Sequence, residues 1–188
     1  MGKRYDTLSL TLQDFIKDQA LFFVGTAAPD GRVNISPKGM DSLRVLSPTR
    51  VLWLSVTGSG NETAAHLLET PRMTLMWCAF EGRPLILRAY GEARVFHPRD
   101  EGWAERAELL PSLPGARNIF ELNIDLVQTS CGMAVPYFDY AGDRDNLKTW
   151  AEAKGPGELE AYWAQKNQRT IDDKPTGIFA AEQTVVAD

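Results

Sequence analysis

Two short segments carry residues suited to holding an anion. Ile35-Ser36-Pro37-Lys38-Gly39 closes a β-type run with a lysine, and residues 55–67, SVTGSGNETAAHL, lead a glycine- and serine-rich loop into a helical run. A phosphate group needs backbone N–H donors converging at a helix N-terminus and at least one cation, and these two segments could supply both. The arrangement suits a mononucleotide; the same Gly and Ser at a helix start also serve as ordinary caps.

Other chemistries find less support. The two histidines, His66 and His97, fall on different elements without a second ligand at metal spacing, so no metal site is expected, and both read as packed or capping side chains. A Ser-His-Asp or Cys-His set could meet only in space, and neither a G-x-S-x-G elbow nor a papain-type cysteine context is present, which disfavours hydrolysis. Cys78 and Cys131 stand far apart and fit neither a disulfide framework nor a CxxC pair, so both are expected as reduced thiols. Cys78, inside RMTLMWCAF, reads as a core residue. Cys131, in QTSCGM, reads either as a small packed hydrophobe or as an exposed thiol beside Gly132. No side chain declares itself as a catalytic acid, base or nucleophile.

The frame that must position these segments is an ordinary globular one. With 188 residues, 44% hydrophobic and 24% charged, one domain with a sizeable core is expected. A formal charge of −5 disfavours a basic surface wrapped around nucleic acid. No run approaches the roughly 18 uncharged residues of a membrane span, the first residues have no apolar signal core, and Asp6 stands where myristoylation wants Ser or Thr. A cytoplasmic protein without membrane attachment is the expectation.

Along the chain, Thr11 with Asp14 resembles a loose capping box, and Leu12, Phe15, Ile16 and Ala20 predict an amphipathic helix to about Leu21. FFVGTA, a turn at APDGR and RVNIS read as a hairpin, with Pro29 presetting the turn and Gly31 supplying a positive φ. A second strand pair is predicted from Leu43 to Leu46 and from Val51 to Val56. Ser59 and Glu62 have capping-box spacing ahead of Ala64, Ala65, Leu67 and Leu68. RMTLMWCAF and PLILRAYGEARVF should form the longest hairpin of the sheet, Pro98 should open a helix through Leu110, and NIFELNIDLVQTS returns to strand periodicity. That makes six or seven strands. From Asp143 the chain turns charged and helical, with Gly155-Pro156-Gly157 as a break between two helical runs.

The order of these pieces resembles the pyridoxamine 5′-phosphate oxidase-like FMN-binding split-barrel superfamily. The likeness covers roughly Leu12 to Phe96. It is carried by the DGR hairpin leading to Ser36-Pro37, by the small-residue loop before a helix with HLL, and by Thr70-Pro71-Arg72-Met73-Thr74-Leu75. VQTSCGMAVPYFDYAGDRD and the later DDKPTG are similar to an oxidase-related subgroup of that superfamily.

The resemblance implies a mainly β fold with flanking helices: a six-stranded antiparallel split barrel in residues 1–142, with residues 143–188 as a C-terminal helical extension packed on the same unit. It implies a homodimer binding FMN in clefts between subunits. Carried over by position, the cofactor-binding residues are Ile35, Ser36, Pro37, Lys38 and Gly39, together with Ser55, Val56, Thr57, Gly58, Asn61, Glu62 and Thr63. Where the oxidases carry Arg or Lys just before the helix this chain has Asn61-Glu62, so Lys38 is the first cation and Arg83 or Arg88 could compensate. The substrate-gripping C-terminal R-L-H-D-R-like run is also missing; the tail reads NQRTIDDKPTGIFAAEQ, and Arg144, Lys148, Lys166 and Arg169 read as a solvated helical face. Trp77, Tyr137 and Phe138 could stack on a flavin or fill a core or interface. The expected function is therefore FMN-dependent oxidation or reduction of a small molecule other than pyridoxamine phosphate, with NAD(P)H as a candidate donor. The alternative is a flavin- or tetrapyrrole-binding module without turnover.

Overall fold

The computed structural model describes residues 2–179. In chain order the elements are β1 (Lys3–Tyr5), α1 (Leu10–Lys17), β2 (Phe22–Thr26), β3 (Asn34–Lys38), β4 (Leu43–Ser47), β5 (Arg50–Val56), α2 (Glu62–Glu69), β6 (Arg72–Cys78), β7 (Ile86–Phe96), α3 (Trp103–Ala107), β8 (Ala116–Ser130) and α4 (Asn146–Lys166). The strands form one antiparallel sheet in the order β3-β2-β6-β7-β8-β5-β4, with β1 added on β8.

That order obliges the sheet to curl. Strands lie about 4.8 Å apart, so in a flat seven-strand path β3 and β4 would be separated by roughly 29 Å. Only residues 39–42 join Lys38 to Leu43, and at about 3.4 Å per residue a link that short reaches roughly 17 Å. The two edge strands must therefore approach each other at this end without pairing, which is an antiparallel split barrel.

The interior is filled from every side. Phe22 and Val24 from β2, Val51 and Trp53 from β5, Leu75 and Trp77 from β6, Leu87 and Ala89 from β7, and Phe120 and Leu122 from β8 are all buried in one cluster. Trp53 stacks on Phe120 with ring centroids 4.3 Å apart and meets Phe22 edge-on at 6.0 Å. Trp77 is part of this core.

Several local expectations are corrected. The barrel has eight strands rather than six or seven; the extra β1 is three exposed residues without an alternation to announce it. Helix α1 ends at Lys17, and its cap is Ser9, in extended conformation, whose Oγ accepts from Leu12 N at 3.3 Å; Thr11 is already helical. The expected long hairpin of β6 with β7 forms, from Arg72↔Glu92 to Cys78↔Ile86, while the longest ladder is β7 with β8, from Ile86↔Ser130 to Phe96↔Ile119, two strands joined through α3. Pro98 does not open a helix. The Asp100 carboxylate accepts from His97 N at 2.8 Å and Asp100 N donates to His97 O, closing residues 97–100 into a turn, so α3 is confined to Trp103–Ala107. The break at Gly155 is present: its φ of 67° and ψ of 171° interrupt α4 and let the run after Pro156 take its own direction. Cys78 is buried and Cys131 exposed, which removes the packed reading for Cys131.

Candidate functional site

The curl brings the two segments expected to hold an anion to a common wall. A cavity of about 190 Å³ is lined by Pro37, Lys38, Gly39, Val56, Thr57 and Gly58, with Met40, Ser42, Leu54, Leu113 and Leu147 completing it. Pro37 to Met40 and Leu147 also border a second, larger cavity of about 1270 Å³, with Phe15, Phe80, Arg83, Phe138 and Tyr140 among its other walls. Phe138 sits edge-on to Phe80 at 5.4 Å.

The remaining expected residues are placed less uniformly. Burial alternates along β3, so Ser36 and Lys38 face inward while Ile35 stands 70% exposed on the other side. Ser55 is buried. Thr63 Oγ1 accepts from Asn34 Nδ2 at 3.3 Å and ties the start of α2 to β3. The capping box expected at Ser59 does not form. Asn61 takes the N-cap position of α2, no side chain caps the helix, and the Asn61 Nδ2 and Ser36 Oγ atoms are buried without hydrogen-bond partners. Glu62, which with Asn61 stands where the oxidases carry Arg or Lys, accepts from Ile171 N at 3.2 Å and is thereby fixed to the C-terminal segment.

A second cation, the buried Arg117, acts on Lys38 through its charge, and sequence reasoning missed it. Burial lowers the Lys38 ammonium to about 8, with the Arg117 charge acting in the same direction. Burial likewise lowers Arg117 to about 10. Lys38 Nζ lies 5.6 Å from the Trp53 ring centroid. Neither residue forms an ion pair among the described residues. Of the proposed compensators, Arg88 Nη1 donates to Ser130 Oγ at 3.2 Å and Arg83 borders the larger cavity.

Arg117 belongs to a buried chain of polar side chains. Its Nε donates to Asn118 Oδ1 at 3.0 Å and its Nη1 to Asn167 Oδ1 at 2.6 Å. With Asn118 Oδ1 so used, Asn118 Nδ2 is the atom that faces His97 Nδ1 at 3.1 Å, and it donates only to an unprotonated nitrogen. His97 is accordingly held neutral, its pKa lowered to about 4 by burial and by Arg99 and Arg117 against an opposing pull from Asp100. Between about pH 6.5 and 4 the unfolded chain takes up a proton that the folded one refuses, so stability falls as the pH drops through that window. Urea titrations of His97→Gln should show a shallower decline than the wild type across it. His66, the other histidine, is buried with Nδ1 3.0 Å from Thr26 Oγ1 and joins α2 to β2.

The C-terminal segment completes the loop. Trp163 Nε1 donates to Thr57 Oγ1 at 2.8 Å, and Thr57 Oγ1 donates to Gly115 O at 2.8 Å. Asn167 Nδ2 donates to Gly58 O at 3.1 Å and reaches Ser59 O at 3.5 Å. Beyond it, Lys174 pairs with Asp30 and Glu69, and Arg32 pairs with Asp172.

Comparison with known proteins places this arrangement. The pyridoxamine 5′-phosphate oxidase family model matches residues 9–131. The pyridoxamine 5′-phosphate oxidase family protein ustO of Aspergillus flavus is 40% identical over 196 residues, spanning 94% of this chain and 78% of that protein. Among solved structures, a variant of HupZ from Group A Streptococcus superposes with a TM-score of 0.54 at 16% identity, over 65% of this chain and 99% of the other. A candidate pyridoxamine 5′-phosphate oxidase from Lactobacillus delbrueckii superposes with a TM-score of 0.51 at 22% identity, over 65% and 94%. No helix among the described residues is long and apolar enough to cross a membrane. In sequence and in fold, the chain belongs to the pyridoxamine 5′-phosphate oxidase family.

Proposed function

We propose that the protein binds FMN at the junction of β3 with the loop 57–61 and uses it to oxidise or reduce a small conjugated molecule. The observation that carries this reading is the pair Lys38, half-buried at the cavity wall, and the buried Arg117: burial and the Arg117 charge lower Lys38, burial lowers Arg117, and neither has a carboxylate partner among the described residues. Uncompensated buried charge is costly, and a phosphate dianion is the complement that would relieve both. The unpartnered Ser36 Oγ and Asn61 Nδ2 and the uncapped start of α2 fit the same group.

In this reading Lys38 neutralises the phosphate, Asn61 and Ser36 supply the hydrogen bonds they lack, and Pro37 to Met40 form the wall along which the ring system extends into the larger cavity. FMN, when bound, supplies hydride or electron transfer; the protein supplies binding, orientation and exclusion of water. Pyridoxamine phosphate is not the substrate proposed. The tail cations Arg169 and Lys174 are engaged with Asp173 and with Asp30 and Glu69.

Freshly purified protein tests this directly. A flavin absorbance spectrum bleached anaerobically by NADPH, with FMN released on denaturation, supports the proposal. A bound flavin or tetrapyrrole that physiological donors fail to reduce would favour a binding module without turnover. Protein that neither carries nor takes up FMN overturns the reading. We further propose that it works as a cytoplasmic homodimer. Val33 and Ile35 stand 69% and 70% exposed at and beside the edge strand β3, apolar surface that a second subunit would cover. Sedimentation velocity should give a dimer, and a flavin-loaded monomer would refute it.

A further inference from the structure

The polar chain running from the barrel into the C-terminal segment does more than hold two parts of the molecule together. Trp163 and Asn167 are four residues apart near the end of α4 and its C-cap, so both fall on one face, and that face lies on the loop 57–59. Asn167 is fully buried. Its amide oxygen accepts from Arg117 while its amide nitrogen donates to the carbonyls of Gly58 and Ser59. A guanidinium offers only donors and a backbone carbonyl only accepts, so the side chain joining them must present one acceptor and one donor at this short reach. Asparagine does. Aspartate would set a carboxylate against two carbonyls, and a serine hydroxyl is too short to reach both sides. The backbone of Asn167 is pinned in turn: its N–H donates to Trp163 O and its carbonyl accepts from Thr176 Oγ1 at 2.5 Å.

We propose that Asn167 is the positioning residue of the anion site: by fixing the Arg117 guanidinium and the loop 57–59 in one frame, it makes the site select a phosphorylated flavin over the unphosphorylated one. This rests on the FMN reading above and adds a residue and a selectivity to it. Arg117 uses two of its five N–H donors on Asn118 and Asn167, so its orientation is set before any ligand arrives. The discrimination between FMN and riboflavin, which differ in the phosphate, is thereby assigned to a side chain of the C-terminal segment rather than of the barrel strands.

Flavin fluorescence quenching with full-length protein, using FMN and riboflavin as paired probes, tests the assignment. The wild type should bind FMN at least a hundredfold more tightly than riboflavin. Asn167→Ser should lose tenfold or more of that ratio, with riboflavin affinity changed less than twofold, and Asn167→Asp should lose more because its carboxylate competes with the phosphate for Arg117. Trp163→Phe, which keeps the ring packing and loses only the bond to Thr57, should lose a smaller part of the ratio, and it serves as the second variant if substitution at Asn167 prevents folding. Parallel weakening of both flavins in all variants, or an unchanged ratio, overturns the role of Asn167 while leaving the FMN site standing. A wild type that binds FMN no better than riboflavin overturns the site and the positioning role together.

Discussion

Replacing Lys38 by alanine should raise the dissociation constant for FMN ten- to a hundredfold if the proposed site holds. A hydrogen bond to a charged partner contributes about 1.5–3 kcal/mol, which converts to that range. The effect should fall at the upper end because Lys38 is the cation that borders both cavities. The pH profile makes the assignment specific. Lys38 in the free protein loses its proton near pH 8, and a dianion prefers the protonated form, so affinity falls as the pH rises above about 8. Phosphate completes its second ionisation around pH 6, so binding is strongest between these limits. Lys38→Ala should lose the alkaline decline, and a variant that keeps it would place the titrating group elsewhere.

The same depressed pKa predicts a trade-off in the ligand-free protein. A lysine whose folded pKa lies below its ordinary 10.5 holds fewer protons folded than unfolded between about pH 8 and 10.5, so the contribution of Lys38 to stability rises with pH across that window. Lys38→Met, similar in shape and without charge, should melt higher than the wild type at pH 7 and bind FMN more weakly.

Gly91→Ala should be among the most damaging single substitutions in the chain. A Cβ at Gly91 would stand 1.9 Å from Asn123 O, 2.8 Å from Asn123 C and 3.0 Å from Ile124 Cα. All three are backbone atoms of β8, so no side chain can swing aside. The register between β7 and β8 shifts between Tyr90 and Gly91, where Asp125 is the additional residue on β8, and the glycine lets the bulged strand approach. Relieving the overlap means displacing the central ladder of the barrel, at a cost of about 3–5 kcal/mol. At roughly 2–4 °C per kcal/mol for a chain of this size, the melting temperature should fall by about 6–20 °C. Gly157→Ala is the control: nothing lies within 4 Å of its Cβ, and a shift of more than a degree or two there would argue against the steric account.

The parts of the fold that could be read from the sequence are those where one periodicity runs uninterrupted. Alternation across Arg72 to Cys78 and across Ile119 to Leu126 gave strands, and Gly155-Pro156-Gly157 gave the break in α4, because these signals are local. Pro98 misled because the Asp100 carboxylate turns the backbone at His97 before a helix can start, a competition that propensity does not record. The candidate site divides in the same way. Lys38 and the loop 57–61 announce themselves by composition. Arg117, Trp163 and Asn167 do not, since what matters about them is a hydrogen-bond partner 50 to 109 positions away.

That separation has a consequence during synthesis. Gly58 and Ser59 leave the ribosome 109 and 108 residues before the asparagine that clamps them. At bacterial to eukaryotic elongation rates of about 5–20 residues per second, the loop waits on the order of 5–20 s for its clamp. The β-barrel ladder can close within that interval, so the cavity beside the loop matures only after the scaffold that carries it, and a nascent chain cut short before Asn167 would present a folded shell with an unset mouth.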